Sequence, residues 1–205
     1  MLFLKHFLGN INFISSHAKE ADKGWGKIYY NILKDILLKH NCLIGAEIGT
    51  AFGGHIENIL TTTGVKKIYG IDPYKLFDGT TDSFTWRGRS YTQDDYDAMY
   101  KFTKKRLSKF ENRISLVRKT SKDAALAITE KLDFVFIDAQ HTYEGVLEDI
   151  GIWYDKVKVG GIISGHDYNH QSFPGVKKAV DEFFLKVNLK VNEAGGYIWW
   201  AEKLK

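Results

Sequence analysis

The segment LIGAEIGTAFGG, residues 43–54, indicates the fold of this chain. Its first half is a short apolar run typical of a buried strand, and Gly49 and Gly53 follow where a strand turns into a helix. Their spacing differs from the G-x-G-x-x-G fingerprint of dinucleotide-binding proteins, and Glu47 precedes the turn. That carboxylate disfavours a diphosphate and suits a cationic ligand. A purely structural strand-to-helix turn is the alternative.

Outward from this segment, strand patterns alternate with helical patterns. The strand patterns lie at 67–71, 113–117, 132–137 and 160–164, and the main helical patterns at 25–40, 94–110, 121–130, 142–156 and from Pro174 onward. Such alternation predicts a parallel sheet with helices on both faces. Residues 185–191 and 197–201 predict a hairpin. We therefore predict a single α/β domain with a Rossmann-like, doubly wound, mostly parallel sheet and a C-terminal antiparallel hairpin.

Residues 1–24 are predicted to form an N-terminal cap segment beside a domain that spans 25–205. The stretch is apolar, but Gly9, Asn10 and Asn12 interrupt it. No run approaches the roughly 20 apolar residues that a bilayer span needs, and no cleavage site is evident. We expect no membrane span, and a segment that packs on the domain or covers its active site.

Charge and cysteine content exclude several classes of function. The 29 basic and 25 acidic residues give a net charge of +4, and pairs such as Lys66-Lys67, Lys104-Lys105 and Lys177-Lys178 are typical of solvated helical faces. This balance is too even for a nucleic-acid footprint, so no nucleic-acid partner is expected. Cys42 is the single cysteine, which precludes an internal disulfide and indicates a reducing, cytoplasmic location.

Polar residues follow the other predicted strands. Asp72 ends the second strand, where an acid can accept both hydroxyls of a ribose, although an aspartate before Pro73 is also a common turn former. Thr120 and Ser121 follow the third strand, and their hydroxyls could bind the edge of an adenine. Ser121 is equally well placed as a helix N-cap. In the helix predicted at 142–156, the acidic side chains, Asp149 among them, fall on the polar face.

Three later segments carry a family resemblance: FIDAQHTYEGV at 136–146, VGGIISGHDY at 159–168 and GVKKAV at 175–180. With them, residues 40–205 resemble the class I S-adenosylmethionine-dependent methyltransferases. The order of the segments is similar to that of small-molecule O-methyltransferases related to the macrocin and cephalosporin-pathway enzymes, and more distantly to catechol O-methyltransferase.

The resemblance implies S-adenosylmethionine as cofactor and assigns residues to each part of it. Asp138 would face the methyl group and the acceptor, Asp72 the ribose, and Thr120 and Ser121 the adenine. The residues implied around the methionine moiety are Glu47, Gly49, Thr50 and Gly53.

The resemblance also implies a divalent cation, Mg²⁺ or another. In catechol O-methyltransferase the matching aspartate binds magnesium together with an aspartate and an asparagine at the end of the fifth strand. Asp138 and Asp167 match two of those ligands, but Tyr168 follows Asp167 and Asn169 comes one residue later. Because a strand alternates its faces, Asn169 need not reach the metal.

His141 and His166 are candidate catalytic residues beside Asp138. Each lies at the end of a predicted strand, and an unperturbed histidine titrates near pH 6.5, so either could take the proton of an acceptor hydroxyl. A histidine with a structural hydrogen bond is the alternative reading. The long polar and aromatic segment 74–93, with Trp86, Arg87 and Arg89, is predicted to close over the acceptor.

We expect transfer of a methyl group from S-adenosylmethionine to a hydroxyl of a small molecule or sugar. The alternatives are a non-catalytic regulatory module that binds S-adenosylmethionine and an NAD-dependent oxidoreductase. Amino-group nucleic-acid methyltransferases carry a Pro-Pro-aromatic motif, which a chain with only Pro73 and Pro174 cannot form. Formation of a homo-oligomer stays open.

Overall fold

A seven-stranded sheet organises the chain. The computed structural model describes residues 2–24, 26–76 and 84–204, with only the backbone at residues 2–9 and 27. The strands of the sheet are β1 (Ile44–Ile48), β2 (Lys67–Ile71), β5 (Ile114–Val117), β6 (Leu132–Ile137), β7 (Val157–Gly165), β8 (Asn192–Ala194) and β9 (Ile198–Glu202), and a separate ribbon pairs β3 (Thr85–Trp86) with β4 (Arg89–Ser90).

The strand order is β5-β2-β1-β6-β7-β9-β8. The first five strands of this order are parallel, and β9 and β8 continue the sheet as antiparallel strands. The predicted Rossmann-like, doubly wound single domain with a C-terminal antiparallel hairpin is confirmed.

Helices cover both faces of the sheet. They are α1 (Leu2–Lys23), α2 (Gly26–Lys39), α3 (Gly54–Thr62), α4 (Gln93–Leu107), α5 (Ser121–Ala127), α6 (Tyr143–Tyr154) and α7 (Pro174–Lys186), with a 3-10 helix at Ser108–Arg113. One core lies between the sheet and α5, α6 and α7, centred on Trp153 and Phe184. A second lies between the sheet and α2 and α3, centred on Leu33 and Ile59.

The N-terminal segment is one continuous helix, which includes Gly9 and Asn10. Its inner face joins a third core against α4 and the β3–β4 ribbon, where Ile14 and Ala18 are buried. Burial of this apolar face outweighs the weak helix propensity of Gly and Asn. No helix within the described ranges is long and apolar enough to cross a membrane.

Two other expectations need correction. The strand predicted at 185–191 is absent: α7 continues to Lys186, because Phe184 extends its buried stripe, and pairing begins only at Asn192. The segment 84–91, predicted as part of a long segment that closes over the acceptor, is a hairpin packed on α1. Residues 77–83 of the predicted loop lie outside the described residues.

Candidate active site

The parallel strands end in one row across the sheet. Their register aligns Val117, Ile71, Ile48, Ile137 and Gly165 from one side to the other. The residues that follow neighbouring strands therefore meet at the same edge of the sheet, which is where ligands bind in open parallel sheets.

A cavity of about 1110 Å³ opens at this edge. The residues that the sequence assigned to the cofactor, to a metal and to catalysis line it: Glu47, Gly49, Thr50, Gly53, Asp72, Thr120, Ser121, Asp138, His141, His166 and Asp167. Residues that the sequence did not single out also line it, among them Tyr29, Tyr30, His55 and Asp149.

The glycine turn after β1 brings the backbone close to β6. Gly49 has a φ of 92°, and a side-chain Cβ there would lie 1.9 Å from the carbonyl oxygen of Asp138. Gly53 has a φ of 71° and is the N-cap of α3. Both positions therefore require glycine, for close approach and for the left-handed backbone.

Asp72 is held in a fixed orientation. Its carboxylate accepts hydrogen bonds from the backbone N–H of Ala51 at 3.0 Å and of Tyr74 at 2.7 Å. Burial raises the pKa of Asp72, and the two backbone donors oppose that rise. A carboxylate has about four acceptor positions, so lone pairs remain for a ligand.

A buried polar group lies behind the turn. Oε2 of Glu47 lies 2.7 Å from Nδ1 of His55, and both side chains are 3% exposed. The hydroxyl of Thr50 is buried with no hydrogen-bond partner among the described residues. Burial raises the pKa of Glu47, while the nearby His55 lowers it. His55 lies one residue beyond the Gly53-Gly54 pair, and no sequence pattern identified it as part of the site.

Thr120, not Ser121, is the N-cap of α5. Its hydroxyl accepts from the backbone N–H of Asp123 at 3.2 Å. The Ser121 hydroxyl accepts from Nε1 of Trp153 at 2.8 Å, and it lowers the pKa of Asp149 against the effect of burial. Asp149 was expected on the polar face of α6 but is only 6% exposed.

Two carboxylates and two imidazoles form a cluster at the ends of β6 and β7. Nε2 of His141 lies 2.9 Å from Oδ2 of Asp167 and 3.7 Å from Oδ1 of Asp138. Nδ1 of His166 lies 3.2 Å and 3.8 Å from the same two oxygens. Potential ligand atoms of Asp138, His141 and Asp167 all lie within 4.8 Å of one another, so these three could hold a metal ion.

The cluster is strongly coupled electrostatically. Burial lowers the pKa of His141, but hydrogen bonds and attraction from Asp138 and Asp167 outweigh it and raise the pKa to about 10. The pKa of His166 is raised by the same carboxylates against burial. Burial raises the pKa of Asp167, yet the two histidines bring it well below its usual range.

Aromatic side chains enclose the cluster. The ring of Tyr29 lies 4.3 Å from that of His166, and its hydroxyl lies 3.5 Å from Oδ2 of Asp138. The ring of His141 stacks on Phe173 at 4.3 Å. Asn169 instead donates to Glu193 at 2.7 Å, so its amide is engaged outside the cluster.

The arginines predicted to contact an acceptor are engaged elsewhere. Arg87 pairs with Glu20 of α1 at 3.2 Å, and Arg89 makes two hydrogen bonds to Asp95. Trp86 donates to Glu20 at 3.1 Å. The ribbon reaches the cavity only through its beginning, at Phe84 and Thr85.

The sequence of this chain is similar to those of methyltransferases. The model of a family described as a methyltransferase domain matches residues 46–168, more than half of the chain. An uncharacterised protein of Acanthamoeba polyphaga mimivirus is 25% identical over 181 residues, which are 83% of this chain and 71% of that protein.

Solved structures share the fold at low sequence identity. Methyltransferase PaMTH1 from Podospora anserina, solved with S-adenosylhomocysteine, has a TM-score of 0.65 and 13% identity over 97% of this chain and 88% of its own. The O-methyltransferase NovP has a TM-score of 0.62 and 18% identity over 84% of this chain and 76% of its own. An rRNA methylase from Streptococcus thermophilus has a TM-score of 0.58 and 16% identity over 85% of this chain and 95% of its own.

Proposed function

The chain belongs to the methyltransferase-domain family, and on that basis we propose that it transfers the methyl group of S-adenosylmethionine to a hydroxyl of a small molecule or sugar. One observation carries the proposal. A single cavity joins the glycine turn, the oriented Asp72 and the Asp138–Asp167 cluster, so a cofactor and an acceptor can meet inside it.

The cavity wall fits the proposed cofactor. Asp72 offers free carboxylate lone pairs beside its two backbone donors, as binding of a ribose diol requires. Near the turn, the buried and unpartnered Thr50 hydroxyl and the Glu47 carboxylate suit a cationic amino-acid moiety. S-adenosylmethionine supplies a methyl group already activated on a sulfonium, so the main contribution of these residues is alignment.

The cluster fits a divalent cation. Asp138, His141 and Asp167 would hold it, and His166 lies within reach of the same two carboxylates. Such an ion, when bound, polarises the acceptor hydroxyl as a Lewis acid. Two imidazoles beside two carboxylates form a donor set that suits manganese, iron or zinc as well as magnesium.

A metal-free reaction is the second candidate, because two histidines face the same space. His141 or His166, in its neutral form, would then take the proton of the acceptor hydroxyl, and Asp138 and Asp167 would orient the imidazole and balance its charge. Because the two carboxylates raise the pKa of His141 to about 10, that residue would act as a base only at alkaline pH. Tyr29 would close the far side of this space and limit the access of water.

The acceptor class rests on the resemblance to O-methyltransferases, of which NovP is one. The similarity to an rRNA methylase shows the fold alone. The charge balance still favours a small acceptor, and the single buried Cys42 agrees with a cytoplasmic location.

The proposal is tested by incubating the protein with S-adenosylmethionine that carries a deuterated methyl group and a panel of sugars, glycosides and phenols. We expect mass spectrometry to show a labelled methyl group on one acceptor class, with S-adenosylhomocysteine formed in equal amount. Label on added RNA but on no small acceptor would overturn the acceptor assignment.

A further inference from the structure

An aromatic rim borders the cavity on the side of β9. It consists of Ile28 at the start of α2, His170 and Phe173 between β7 and α7, and Gly196 and Tyr197 in the turn between β8 and β9. In the sheet, β9 lies beyond β7, whereas Asp72 follows β2 on the far side of β1. A cofactor with its ribose on Asp72 would therefore leave the rim to a second ligand.

The aromatic rings of the rim form a strip that leads to the catalytic cluster. The ring of His170 stacks on Phe173 at 5.1 Å and meets Tyr197 edge to face at 4.9 Å. Phe173 stacks in turn on His141 of the cluster. Aromatic surfaces of this kind bind flat rings through stacking. A ring bound on the strip would therefore bring its hydroxyl substituents toward Asp138 and Asp167.

Tyr197 occupies its position against the usual preferences of a tyrosine. Its side chain is 47% exposed, and its φ of 59° lies in the left-handed region that bulky residues rarely adopt. Ile28, on the same rim, is 63% exposed. Strained backbone and exposed apolar surface at the mouth of a cavity are typical of ligand contacts. The turn alone would accept glycine at this position.

The charges of the cavity differ between its two ends. In the part of the chain that the structure describes, the lysines that line the cavity are Lys75 and Lys122, which lie after β2 and β5 on the far side of β1, and no arginine lines it. The inner end of the rim carries Asp138 and Asp167, and the nearby histidines are already paired with these carboxylates. A phosphate bound on the rim would therefore lack a cationic partner, which is unfavourable.

We propose that the acceptor is an uncharged ring compound, with a sugar or aryl ring whose flat face stacks on Tyr197 and Phe173, and that the rim rejects phosphate-bearing acceptors such as nucleoside diphosphate sugars. This inference rests on the proposed function and narrows its acceptor class. Tyr197 is then a specificity-determining residue, because its exposed ring supplies the surface that the acceptor covers.

The test measures ligand binding to the protein loaded with S-adenosylhomocysteine, by ligand-observed NMR. The matched pair is phenyl β-glucoside and its 6-phosphate, and we expect the uncharged compound to bind at least about tenfold more tightly. Methyl β-glucoside and phenol, added as competitors, show whether the sugar ring or the aryl ring occupies the rim.

A charge added to the rim should change this preference. Ile28→Lys places a cation at an exposed position of the rim and should bring the affinities of the pair to within about threefold of each other. Leu185→Lys adds the same charge at a position that is 82% exposed and is not among the residues that line the cavity, so it should leave the preference unchanged.

Tyr197→Gly separates a ligand contact from a structural role. Glycine adopts the left-handed backbone without steric cost, so the melting temperature should not fall. The affinity for phenyl β-glucoside should nevertheless decrease at least about tenfold, because the stacking surface is lost. A lower melting temperature with unchanged affinity would show that the ring only supports the turn, and would contradict the inference.

The outcomes separate this inference from the function on which it rests. If the 6-phosphate binds as tightly as the uncharged glucoside, or if none of the ring compounds binds to the loaded protein, the inference is wrong while the proposed cofactor stands. If the protein does not bind S-adenosylhomocysteine, the proposed function fails, and this inference fails with it.

Discussion

Nε2 of His141 lies 2.9 Å from Oδ2 of Asp167, which joins the residues that follow β6 and β7. The contact closes a cluster in which Asp138 and His166 complete a ring of alternating acids and imidazoles. A solved methyltransferase that is 13% identical to this chain shares its fold. The chemistry of this chain depends on whether the ring binds a metal ion or transfers a proton.

The first prediction concerns that ring. If it holds a divalent cation, a chelator should abolish methyl transfer, and manganese or magnesium should restore it. Calorimetry should show metal binding by the unchanged protein, and His141→Ala or Asp167→Asn should weaken it at least tenfold through loss of a ligand. His40→Gln, which alters a histidine that packs on Trp200 outside the cavity, serves as the control.

The metal-free alternative gives a different pattern. Activity would survive the chelator but be lost in His141→Ala or His166→Ala. Metal binding by calorimetry would be undetectable in the unchanged protein. That pattern would assign the ring to proton transfer alone.

The second prediction concerns Asp72. Asp72→Asn should weaken S-adenosylhomocysteine binding by about 1–3 kcal/mol, because charge-assisted hydrogen bonds to the ribose are lost. Calorimetry measures the change, and a thermal melt shows whether the turn that Asp72 also supports is intact. Asp155→Asn, at an exposed position beyond α6, is the matched control. Equal affinity in both variants would contradict a ribose contact.

The third prediction concerns the docking of α1 on the ribbon. The ring of Trp86 stacks on His17 at 4.9 Å, with an interplanar angle of 3°. Trp86→Ala should lower the free energy of unfolding by about 1–2 kcal/mol and expose α1 to proteolysis. Arg87→Gln removes an ion pair whose side chains are 70% and 57% exposed, so it should change the stability by less than about 1 kcal/mol. Equal effects of the two variants would contradict aromatic docking.

The fourth prediction concerns the pH dependence of stability at Asp149. Its pKa rises from 3.8 to about 6 on folding, so the folded state holds the proton more tightly than the unfolded state. The free energy of unfolding should therefore fall as the pH rises from about 4 to about 6, by up to about 3 kcal/mol. Asp149→Asn removes this loss and should be the more stable protein at pH 7.

Urea unfolding at several pH values measures the difference between Asp149→Asn and the unchanged protein. The difference should disappear below about pH 3, where both states of the unchanged protein are protonated. Glu144→Gln, at an exposed side chain of the same helix whose charge is not among those that shift the pKa of Asp149, should show no such pH dependence. A constant difference across the range would indicate an effect of packing. A charged carboxylate at Asp149, in the cavity wall, lowers the stability of the fold, as is common at functional sites.

The sheet and the residues at its edge could be predicted because both depend on local sequence. Each parallel strand is an apolar run, and the polar residue that follows it marks the carboxyl end. The sheet aligns those ends, and this alignment brings Asp72, Asp138 and Asp167 to one cavity. Their proximity can therefore be predicted from the strand pattern alone.

The other parts of the site depend on tertiary contacts. Tyr29 reaches His166 from a helix more than a hundred residues earlier, and no local pattern distinguishes it from other tyrosines. Asp149 follows Glu148 on the polar face of a helix, where periodicity predicts exposure to solvent, yet the folded chain buries it. The ribbon at 84–91 is ordered by α1, a partner that its own sequence does not indicate.

The most direct test of the central claim is a calorimetric titration of the unchanged protein with S-adenosylhomocysteine and, separately, with NADH. We predict saturable binding of one S-adenosylhomocysteine per chain, weakened in Asp72→Asn, and no detectable binding of NADH. Binding of NADH in preference to S-adenosylhomocysteine would contradict the assignment of the cavity to S-adenosylmethionine.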